Sequence, residues 1–158
     1  MQKEDGQFME LALEEAELAF REDEVPVGAV VVMSGKVVGR GRNRRERLRL
    51  VTSHAEIEAI QKASRTLGTW RLENCDIYVT LEPCPMCAGA IIQARIKRLV
   101  FGAYDPKGGA AGGVVDLLGQ KLFNHRVDVI GGILEERCSQ TLKKYFTIKR
   151  NAEKRRGG

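Results

Sequence analysis

The amino-acid sequence predicts an α/β protein, a three-layer α/β/α sandwich with a mixed five-stranded sheet flanked by helices. Amphipathic segments with helical spacing alternate with short β-rich segments, and their order along the chain is α-β-β-α-β-α-β-(α)-β-α. A length of 158 residues suits one domain that buries a sufficient core without disulfide bonds. We therefore expect one domain over residues 1–150, followed by a basic tail over residues 151–158.

The first elements are a helix and a hairpin. Apolar residues at helical spacing predict a helix over residues 8–20, with glutamates on its opposite face. A β-rich run over residues 25–33 predicts the first strand. Ser34-Gly35 is a turn signal, and residues 36–42 return as the second strand.

The middle of the chain alternates helices and strands. Residues 40–51 form an arginine-rich loop, after which Thr52-Ser53 can cap a helix. The predicted elements that follow are a helix over residues 53–67, a strand over 76–80, a helix over 84–94 and a strand over 98–102.

The last third opens with a glycine-rich segment. Residues 108–113 predict a flexible loop, and a weak helical signal follows near residues 116–118. Residues 127–130 predict the fifth strand. A final amphipathic helix is predicted from residue 134 to about residue 150.

Composition excludes several classes of protein. The chain is 43% hydrophobic and 30% charged, with a mean hydropathy of −0.27, as is typical of globular proteins rather than disordered ones. No apolar run approaches the roughly 20 residues of a membrane span, and the acidic N-terminal segment does not resemble a secretory signal. Four cysteines in a domain of this size favour metal binding or catalysis in a reducing cytoplasm over a disulfide framework.

Charge is distributed unevenly along the chain. Residues 1–24 carry nine acidic and two basic residues, whereas residues 40–49 carry six arginines and one glutamate. Residues 143–158 carry seven Lys or Arg and one glutamate. Two dense basic clusters indicate a polyanionic partner, because cationic contacts to phosphates release counterions. The alternative is a solvated loop and a solubilising C-terminal segment.

Two short motifs carry candidate chemistry. They are His54-Ala55-Glu56 and Pro83-Cys84-Pro85-Met86-Cys87. A Cys-x-x-Cys pair alone is typical either of a redox centre or of half a zinc site, but a redox centre gives the upstream motif no role. Zinc prefers thiolate and imidazole ligands, and a catalytic zinc site has three protein ligands and one open position. His54, Cys84 and Cys87 supply those three ligands, and we expect Cys75 and Cys138 to be free thiols.

The surroundings of these ligands favour a catalytic site over a closed structural one. Both motifs fall at predicted helix N-termini, where the helix dipole stabilises thiolates. Glu56 lies two residues after a ligand, close enough to move protons without binding the metal. A structural site needs a fourth ligand, and only His125, Cys75 and Cys138 remain to provide one.

The pattern H-x-E…P-C-x-x-C is that of zinc-dependent nucleobase deaminases. Along most of its length the sequence resembles bacterial tRNA-specific adenosine deaminases. The stretches that carry the resemblance are Glu24-Val-Pro-Val-Gly-Ala-Val, Gly41-Arg-Asn43, His54-Ala-Glu-Ile, Leu81-Glu-Pro-Cys-Pro-Met-Cys-Ala-Gly-Ala, Phe101-Gly-Ala-Tyr-Asp-Pro-Lys, Asn124-His-Arg-Val and Tyr145-Phe146. The sequence departs from the family at Leu50-Val51-Thr52-Ser53, where many members have Asp-Pro-Thr-Ala.

The resemblance implies a cytidine deaminase-like fold, one Zn²⁺ per subunit and a homodimer. It also implies that a zinc-activated water deaminates adenosine to inosine at the wobble position of an arginine tRNA. Glu56 would take the proton of that water, pass it to the purine ring and protonate the departing ammonia. For the dimer, the apolar segment Met86–Ile92 could pack beside a neighbour's active site, although it could equally be intramolecular core.

The same resemblance implies a set of substrate contacts in the tRNA anticodon stem-loop. They are Asn43 on the purine, Val27 in the apolar wall, Ala55, Asp105 on the ribose 2′-hydroxyl, Asn124, His125, Arg126, Tyr145, Phe146, Lys149 and Arg150. Adjacent helical residues point about 100° apart, so one ring of Tyr145 and Phe146 should pack inward and the other can stack on a base. Lys149, Arg150 and residues 154–156 would continue as phosphate contacts.

Two other functions remain open from the sequence. One is a deaminase of the same fold that acts on a free base or nucleotide, such as guanine, cytosine or deoxycytidylate. The basic clusters argue against it, because a small substrate needs no surface that follows a phosphate backbone. The other is a non-catalytic, zinc-containing RNA-binding protein. Glu56 argues against that function, because a structural zinc site has no use for this acid.

Overall fold

The computed structural model describes residues 2–119 and 123–157. Its elements are α1 (Gln2–Arg21), β1 (Gly28–Met33), β2 (Lys36–Arg42), α2 (Arg45–Leu48), α3 (Ala55–Leu67), β3 (Cys75–Leu81), α4 (Pro85–Gln93), β4 (Arg98–Ala103), β5 (Asp128–Ile130) and α5 (Glu135–Gly157). Within these residues the sheet has five strands in the order β2-β1-β3-β4-β5. Strand β1 is antiparallel to β2 and β3, whereas β3, β4 and β5 run parallel, which confirms the predicted mixed sheet.

Helices cover both faces of the sheet. On one face α1 and α5 pack on a core that includes Met9, Val30 and Tyr78. On the other face α3 and α4 enclose a second core around Ile77 and Phe101. This arrangement is the predicted three-layer sandwich. Among the described residues, no helix combines the length and the apolar character that crossing a bilayer requires.

Glycines on the hairpin allow the helices to lie directly on the backbone of the sheet. A Cβ at Gly28 would overlap the carbonyl oxygen of Ala12 in α1. On the opposite face, a Cβ at Gly39 or Gly41 would overlap carbonyl oxygens of α3. Helix α3 therefore packs against β2 more closely than any side chain on those two glycines would permit.

Four predicted elements differ from the structure. Helix α1 begins at Gln2, six residues before its predicted start at residue 8, and the acids Glu4 and Asp5 in its first turn favour a helix N-terminus there. The arginine-rich segment contains the short helix α2, and residues 116–118 are not helical, because Asp116 forms an isolated β-bridge with Ala111. Helix α5 continues through residues 151–157 without a break. That part has no apolar face to reveal its helical period, but Lys, Arg, Glu and Ala are strong helix formers.

The strand directions define two edges of the sheet. The C-terminal ends of β3 and β4 lie beside the start of β1 and the end of β2, since Gly28 pairs with Arg42 and its N–H donates to Thr80 Oγ1. We call this the catalytic edge. The opposite edge contains Arg98, which binds Asp5 of α1 through two hydrogen bonds of 2.8 and 3.0 Å.

Candidate active site

Three side chains that are distant in sequence meet at the catalytic edge. His54 is the N-cap residue of α3, Cys84 is the N-cap residue of α4, and Cys87 follows in the first turn of α4, where Pro85 starts the helix. Neither cap side chain is used to cap its own helix. His54 Nδ1 lies 3.6 Å from Sγ of Cys84 and 3.6 Å from Sγ of Cys87.

These donor atoms fit zinc. With Zn–S bonds of about 2.3 Å and a Zn–N bond of about 2.0 Å, tetrahedral angles place nitrogen and sulfur about 3.5–3.6 Å apart. The three donor atoms all lie within 4.8 Å of one another, and no other trio of potential ligands forms such a group in the described part of the chain. The predicted ligands therefore converge with the spacing that a zinc ion requires.

Protonation is strongly perturbed at this group. A hydrogen bond from Cys87 and the neighbouring His54 lower the pKa of Cys84 to about 4 against the opposing effect of burial. The hydrogen bond to Cys84 raises the pKa of His54. Burial raises the pKa of the Glu56 carboxyl to about 7, and the adjacent Cys84 adds to that increase. A carboxyl group with a pKa near neutrality can both accept and donate a proton at physiological pH.

One cavity of about 140 Å³ joins these groups to several predicted substrate contacts. The predicted residues that line it are Val27, Asn43, His54, Ala55, Glu56, Cys84 and Asp105. Cys87 is fully buried beside it. Four lining residues were not predicted, namely Val25, Arg45, Leu81 and Glu82. Base-modifying deaminases hold the extruded base in a snug pocket of this kind.

Asn43 is held rigidly in the cavity wall. Its Nδ2 donates to the carbonyl oxygen of Val25 at 3.2 Å, and its Oδ1 accepts the N–H of Arg45 at 3.1 Å. Its own backbone N–H donates to Val27. An amide group has two donor hydrogens and two acceptor lone pairs, so one of each remains available to a ligand.

Glu24 and Glu82 are buried acids that the sequence analysis did not identify as part of the site. The Glu24 carboxylate accepts the N–H groups of Glu46 and Arg47 at 3.0 and 2.6 Å and so anchors the start of α2. Glu82 binds backbone N–H groups of the loop that contains Asp105. In the sequence, Glu24 directly precedes the predicted strand over residues 25–33, and Glu82 follows two residues after the predicted strand over residues 76–80.

The two adjacent aromatic residues of α5 differ in burial, as predicted. Tyr145 is buried and packs edge-on against Phe20, whereas Phe146 is 47% exposed. Lys149 Nζ lies 2.8 Å from Oδ2 of Asp23, in the segment that leads to β1 at the catalytic edge. Arg150 has no acidic partner among the described residues and contacts only Thr147 of its own helix.

Asn124, His125 and Arg126 are not brought to the cavity of their own chain. They precede β5, and β5 runs parallel to β3 and β4, so they lie at the edge opposite the catalytic one. There Nε2 of His125 donates to the carbonyl oxygen of Ile96 at 2.6 Å. Their role in substrate binding stays a prediction, and the geometry gives His125 a structural bond.

The arginine cluster is less available to a partner than its charge indicates. Four of its six arginines form ion pairs with acids of α1, the α1–β1 connection and α3. These pairs are Arg40–Glu14 at 3.7 Å, Arg42–Glu22 at 2.6 Å, Arg44–Glu58 at 3.1 Å and Arg47–Glu22. Arg45 lines the cavity and pairs with Glu46 at 3.9 Å, and Arg49 has no acidic partner within residues 2–119 and 123–157.

An α/β/α sandwich with a histidine, two cysteines and a buried glutamate in one cavity defines the class of nucleobase deaminases. A model of the MafB19-like deaminase family matches residues 3–150. The chain belongs to this deaminase family and is an enzyme.

Relatives along the full chain confirm the resemblance stated from the motifs. A tRNA-specific adenosine deaminase of Bacillus subtilis is 46% identical over 96% of this chain and 94% of its own length. One from Agrobacterium fabrum is 50% identical over 90% of this chain and 94% of its own length.

Solved structures agree. A structure from a study of A-to-I editing by tRNA:A34 deaminases at the wobble position superposes with a TM-score of 0.83, is 51% identical, and covers 86% of this chain and 99% of its own. A guanine deaminase from Nitrosomonas europaea superposes with a TM-score of 0.78, is 26% identical, and covers 89% of this chain and 83% of its own.

Proposed function

We propose that this protein hydrolyses the exocyclic amino group of adenosine at the wobble position of an arginine tRNA, which leaves inosine in the tRNA and releases ammonia. The observation that carries the proposal is the single cavity in which the His54, Cys84 and Cys87 group, Glu56 and Asn43 meet. Relatives that match nearly the whole chain carry the name tRNA-specific adenosine deaminase, which supports RNA over a free base.

Zn²⁺ fits the ligand group and, when bound, supplies the acidity that makes water a nucleophile near neutral pH. Glu56 accepts a proton from the attacking water and delivers it to the purine ring as the hydroxyl adds to C6. It then takes the remaining proton from the hydroxyl on C6 and passes it to the departing amine, so that C6 becomes a carbonyl and ammonia leaves. Its buried position and a pKa of about 7 suit a group that must both accept and release a proton.

The cavity wall positions the base. Asn43 offers its remaining amide donor and acceptor to the purine edge, and Val25 and Val27 provide an apolar surface for the ring. Asp105 at the rim suits the ribose 2′-hydroxyl, because a carboxylate accepts the hydrogen that 2′-deoxyribose lacks. Arg45 also faces the cavity, where a guanidinium can bind a flanking phosphate.

Helix α5 supplies the surface for the anticodon stem-loop. Phe146 can stack on an unpaired base, and Arg150, Lys154, Arg155 and Arg156 extend a basic surface along the end of the helix. We assign most of the phosphate contact to this basic end of α5, since four arginines of residues 40–49 are already paired with acids.

We infer that two copies associate through α4. Met86, Gly89 and Ala90 of this helix are partly exposed on one side, while Cys87 and Ile91 face the core. These residues stand at i, i+3 and i+4 on one side of the helix, and the small Gly89 and Ala90 leave room beside Met86 for another subunit to approach closely. Light scattering should give about twice the 17.6 kDa mass of the chain at micromolar concentration. A mass of one chain would refute the dimer.

One experiment separates the candidate functions. Ammonia release is measured in parallel from guanine, cytosine, deoxycytidylate, adenosine and a tRNA anticodon stem-loop with adenosine at the wobble position. We expect turnover of the stem-loop and little of the small molecules. Faster turnover of guanine would favour the function of the Nitrosomonas europaea relative. No turnover of any substrate would favour a non-catalytic RNA-binding protein.

The metal is tested separately from the activity. Cys87→Ala should lose the zinc that the wild-type protein carries, because three protein ligands are needed to hold the ion. Cys75→Ala is the matched control, since Cys75 is also buried and free but lies at the start of β3. Full zinc content in Cys87→Ala, measured by atomic spectroscopy, would refute the ligand assignment.

The four free cysteines suit the cytoplasm, where we place the enzyme.

A further inference from the structure

Glu82 is a buried carboxylate that the proposed chemistry does not use. It is 2% exposed and lies between the end of β3 and the ligand Cys84. Its backbone N–H donates to the carbonyl oxygen of Ala103 at 2.8 Å, which fixes the residue to the end of β4. A buried acid in this position requires several hydrogen bonds to offset its desolvation.

The carboxylate obtains them from one loop. Oε1 accepts the backbone N–H of Asp105 at 3.0 Å. Oε2 accepts those of Ala111 and Gly113 at 2.9 and 2.8 Å. Residues 105–113 therefore wrap around Glu82, and we call this arrangement the Glu82 cradle.

The cradle explains the glycine-rich sequence, which predicted a flexible loop. A Cβ at Gly109 would overlap the Glu82 carboxylate. A Cβ at Gly113 would lie 2.8 Å from Oε1 of Glu82 and would overlap the carbonyl oxygen of Asp105. These two glycines allow the backbone to approach the carboxylate, so they produce a tight and specific loop.

The cradle determines where Asp105 lies. Besides its bond to Glu82, Asp105 accepts the N–H groups of Lys107 and Gly108 on Oδ1, both at 3.1 Å. Its carbonyl oxygen accepts the N–H of Gly109 at 2.9 Å. Within residues 2–119 and 123–157, Oδ2 of Asp105 has no hydrogen-bond donor, although the residue lines the cavity. One oxygen thus fixes the turn and the other is available to a substrate.

We propose that Glu82 is a positioning residue that holds Asp105 against the cavity and thereby sets selectivity for ribose at the edited nucleotide. This inference rests on the proposed function, in which Asp105 binds the 2′-hydroxyl. Replacing the carboxylate by an amide presents an NH₂ group to donors that need an acceptor, so Glu82→Gln should release part of the loop. Asp105 would then lose its fixed position while its own carboxylate stays intact.

The test compares two stem-loops that differ only in ribose or 2′-deoxyribose at the target adenosine. The measured quantity is the kcat/KM of the ribose stem-loop divided by that of the 2′-deoxyribose stem-loop. A loss of folded protein lowers both values equally and therefore does not change this ratio. Glu82→Gln should lower the ratio about tenfold, as loss of one charged hydrogen bond to substrate does. Gly113→Ala should lower it too, because its Cβ displaces the loop and leaves the carboxylate in place.

Matched controls and a double variant complete the test. Asp5→Asn removes a buried carboxylate at the opposite edge, and Gly6→Ala adds a methyl group with nothing within 4 Å. Both should retain the wild-type ratio. If Glu82 acts through Asp105, Asp105→Ala and the double variant Glu82→Gln/Asp105→Ala should share one ratio.

The outcomes distinguish the two levels of inference. Suppose that the wild-type enzyme edits the ribose stem-loop and that Glu82→Gln and Gly113→Ala keep the wild-type ratio. That result would refute the positioning role of Glu82 and leave the proposed function intact. If Glu82→Gln does not fold, the ratio of Gly113→Ala decides the matter. A wild-type protein without activity on either stem-loop would refute the proposed function and this inference with it.

Discussion

The hydroxyl of Tyr145 donates a hydrogen bond to the backbone carbonyl oxygen of Asp23, 3.2 Å away and 122 residues earlier in the chain. This bond attaches the middle of α5 to the connection between α1 and β1. Burial, together with the negative charge of Asp23, raises the pKa of Tyr145, so the hydroxyl stays protonated and continues to donate. Tyr145 is thereby held in the core, whereas the neighbouring Phe146 is about half exposed.

Phe146→Ala should weaken RNA binding without lowering stability. Its ring is about half exposed and touches the core only through an edge-on contact with Tyr145, so removing it costs little stability, whereas stacking on a base is worth about 1–3 kcal/mol. We expect the KM for the stem-loop to rise by roughly tenfold or more at an unchanged melting temperature. The matched variant Tyr145→Phe should show the reverse, with a lower melting temperature and a nearly unchanged KM. Equal KM values for Phe146→Ala and wild type would remove the stacking role.

The basic end of α5 should account for most of the salt dependence of RNA binding. A triple variant with Lys154, Arg155 and Arg156 changed to Gln keeps good helix formers and removes three charges. We expect the slope of log K against log salt to flatten by about 2–3, near one unit for each lost phosphate contact. The slope is measured by titrating the stem-loop at several salt concentrations.

Arg42→Gln is the contrasting variant for that experiment. Arg42 Nε lies 2.6 Å from Oε1 of Glu22, and this hydrogen bond lowers the pKa of the Glu22 carboxyl against the opposing effect of burial. We expect a loss of about 1–2 kcal/mol of stability and an unchanged salt slope. A slope that flattens in Arg42→Gln, and not in the triple variant, would transfer the phosphate contacts to the arginine cluster.

Glu56→Gln should abolish turnover and leave zinc and RNA binding intact. The amide keeps the shape of the side chain but cannot accept the proton of water, and a general acid–base group contributes about 10²–10⁴-fold to rate. Turnover, zinc content and stem-loop affinity are measured on one preparation. Activity within tenfold of wild type would require another proton shuttle.

Asp5→Asn should make the protein less sensitive to acid. Burial alone would raise the pKa of Asp5, but hydrogen bonds from Arg98 and Tyr78 outweigh it and lower the pKa below its usual range. A carboxyl with a depressed folded pKa stabilises the fold above its unfolded pKa of about 3.9, and this contribution disappears as pH falls through the folded value. Asp5→Asn should therefore cost about 1–3 kcal/mol at pH 7 and much less near pH 2. Equal losses at both pH values, measured by urea unfolding, would contradict this linkage.

Much of the fold followed from local pattern because each face of the sheet is covered. Strands β1 and β3 are buried along most of their length, β1 is a continuous apolar run in the sequence, and α3 has a clear apolar side. The end of α5 did not follow, because residues 151–157 touch no core and carry no apolar period. Short α2 was missed for a different reason, since its start is anchored by Glu24, a contact across more than twenty residues of sequence.

The candidate site was predictable where motif and helix start coincide. His54 and Cys84 each begin a helix at the same edge of the sheet, so two short motifs were sufficient to bring the ligands together. The Glu82 cradle could not be predicted, because glycines that permit close approach look the same in sequence as glycines that permit freedom. For Asn124 and Arg126 the family resemblance predicted a position near the substrate, whereas the direction of β5 puts them at the edge of the sheet opposite the cavity.

Gly41 on β2 has a consequence for how natural variants of this enzyme should be interpreted. Helix α3 rests on the backbone at this position, and its second residue is Glu56, two positions after His54. A methyl group there would push the start of the helix outward while Cys84 and Cys87 stay with α4 on another part of the sheet. Misplacement of reacting groups by about 1 Å can cost a hundredfold in rate. Among natural variants, a Gly41→Ala change should therefore be expected to lower activity strongly, although it alters a residue that has no functional group.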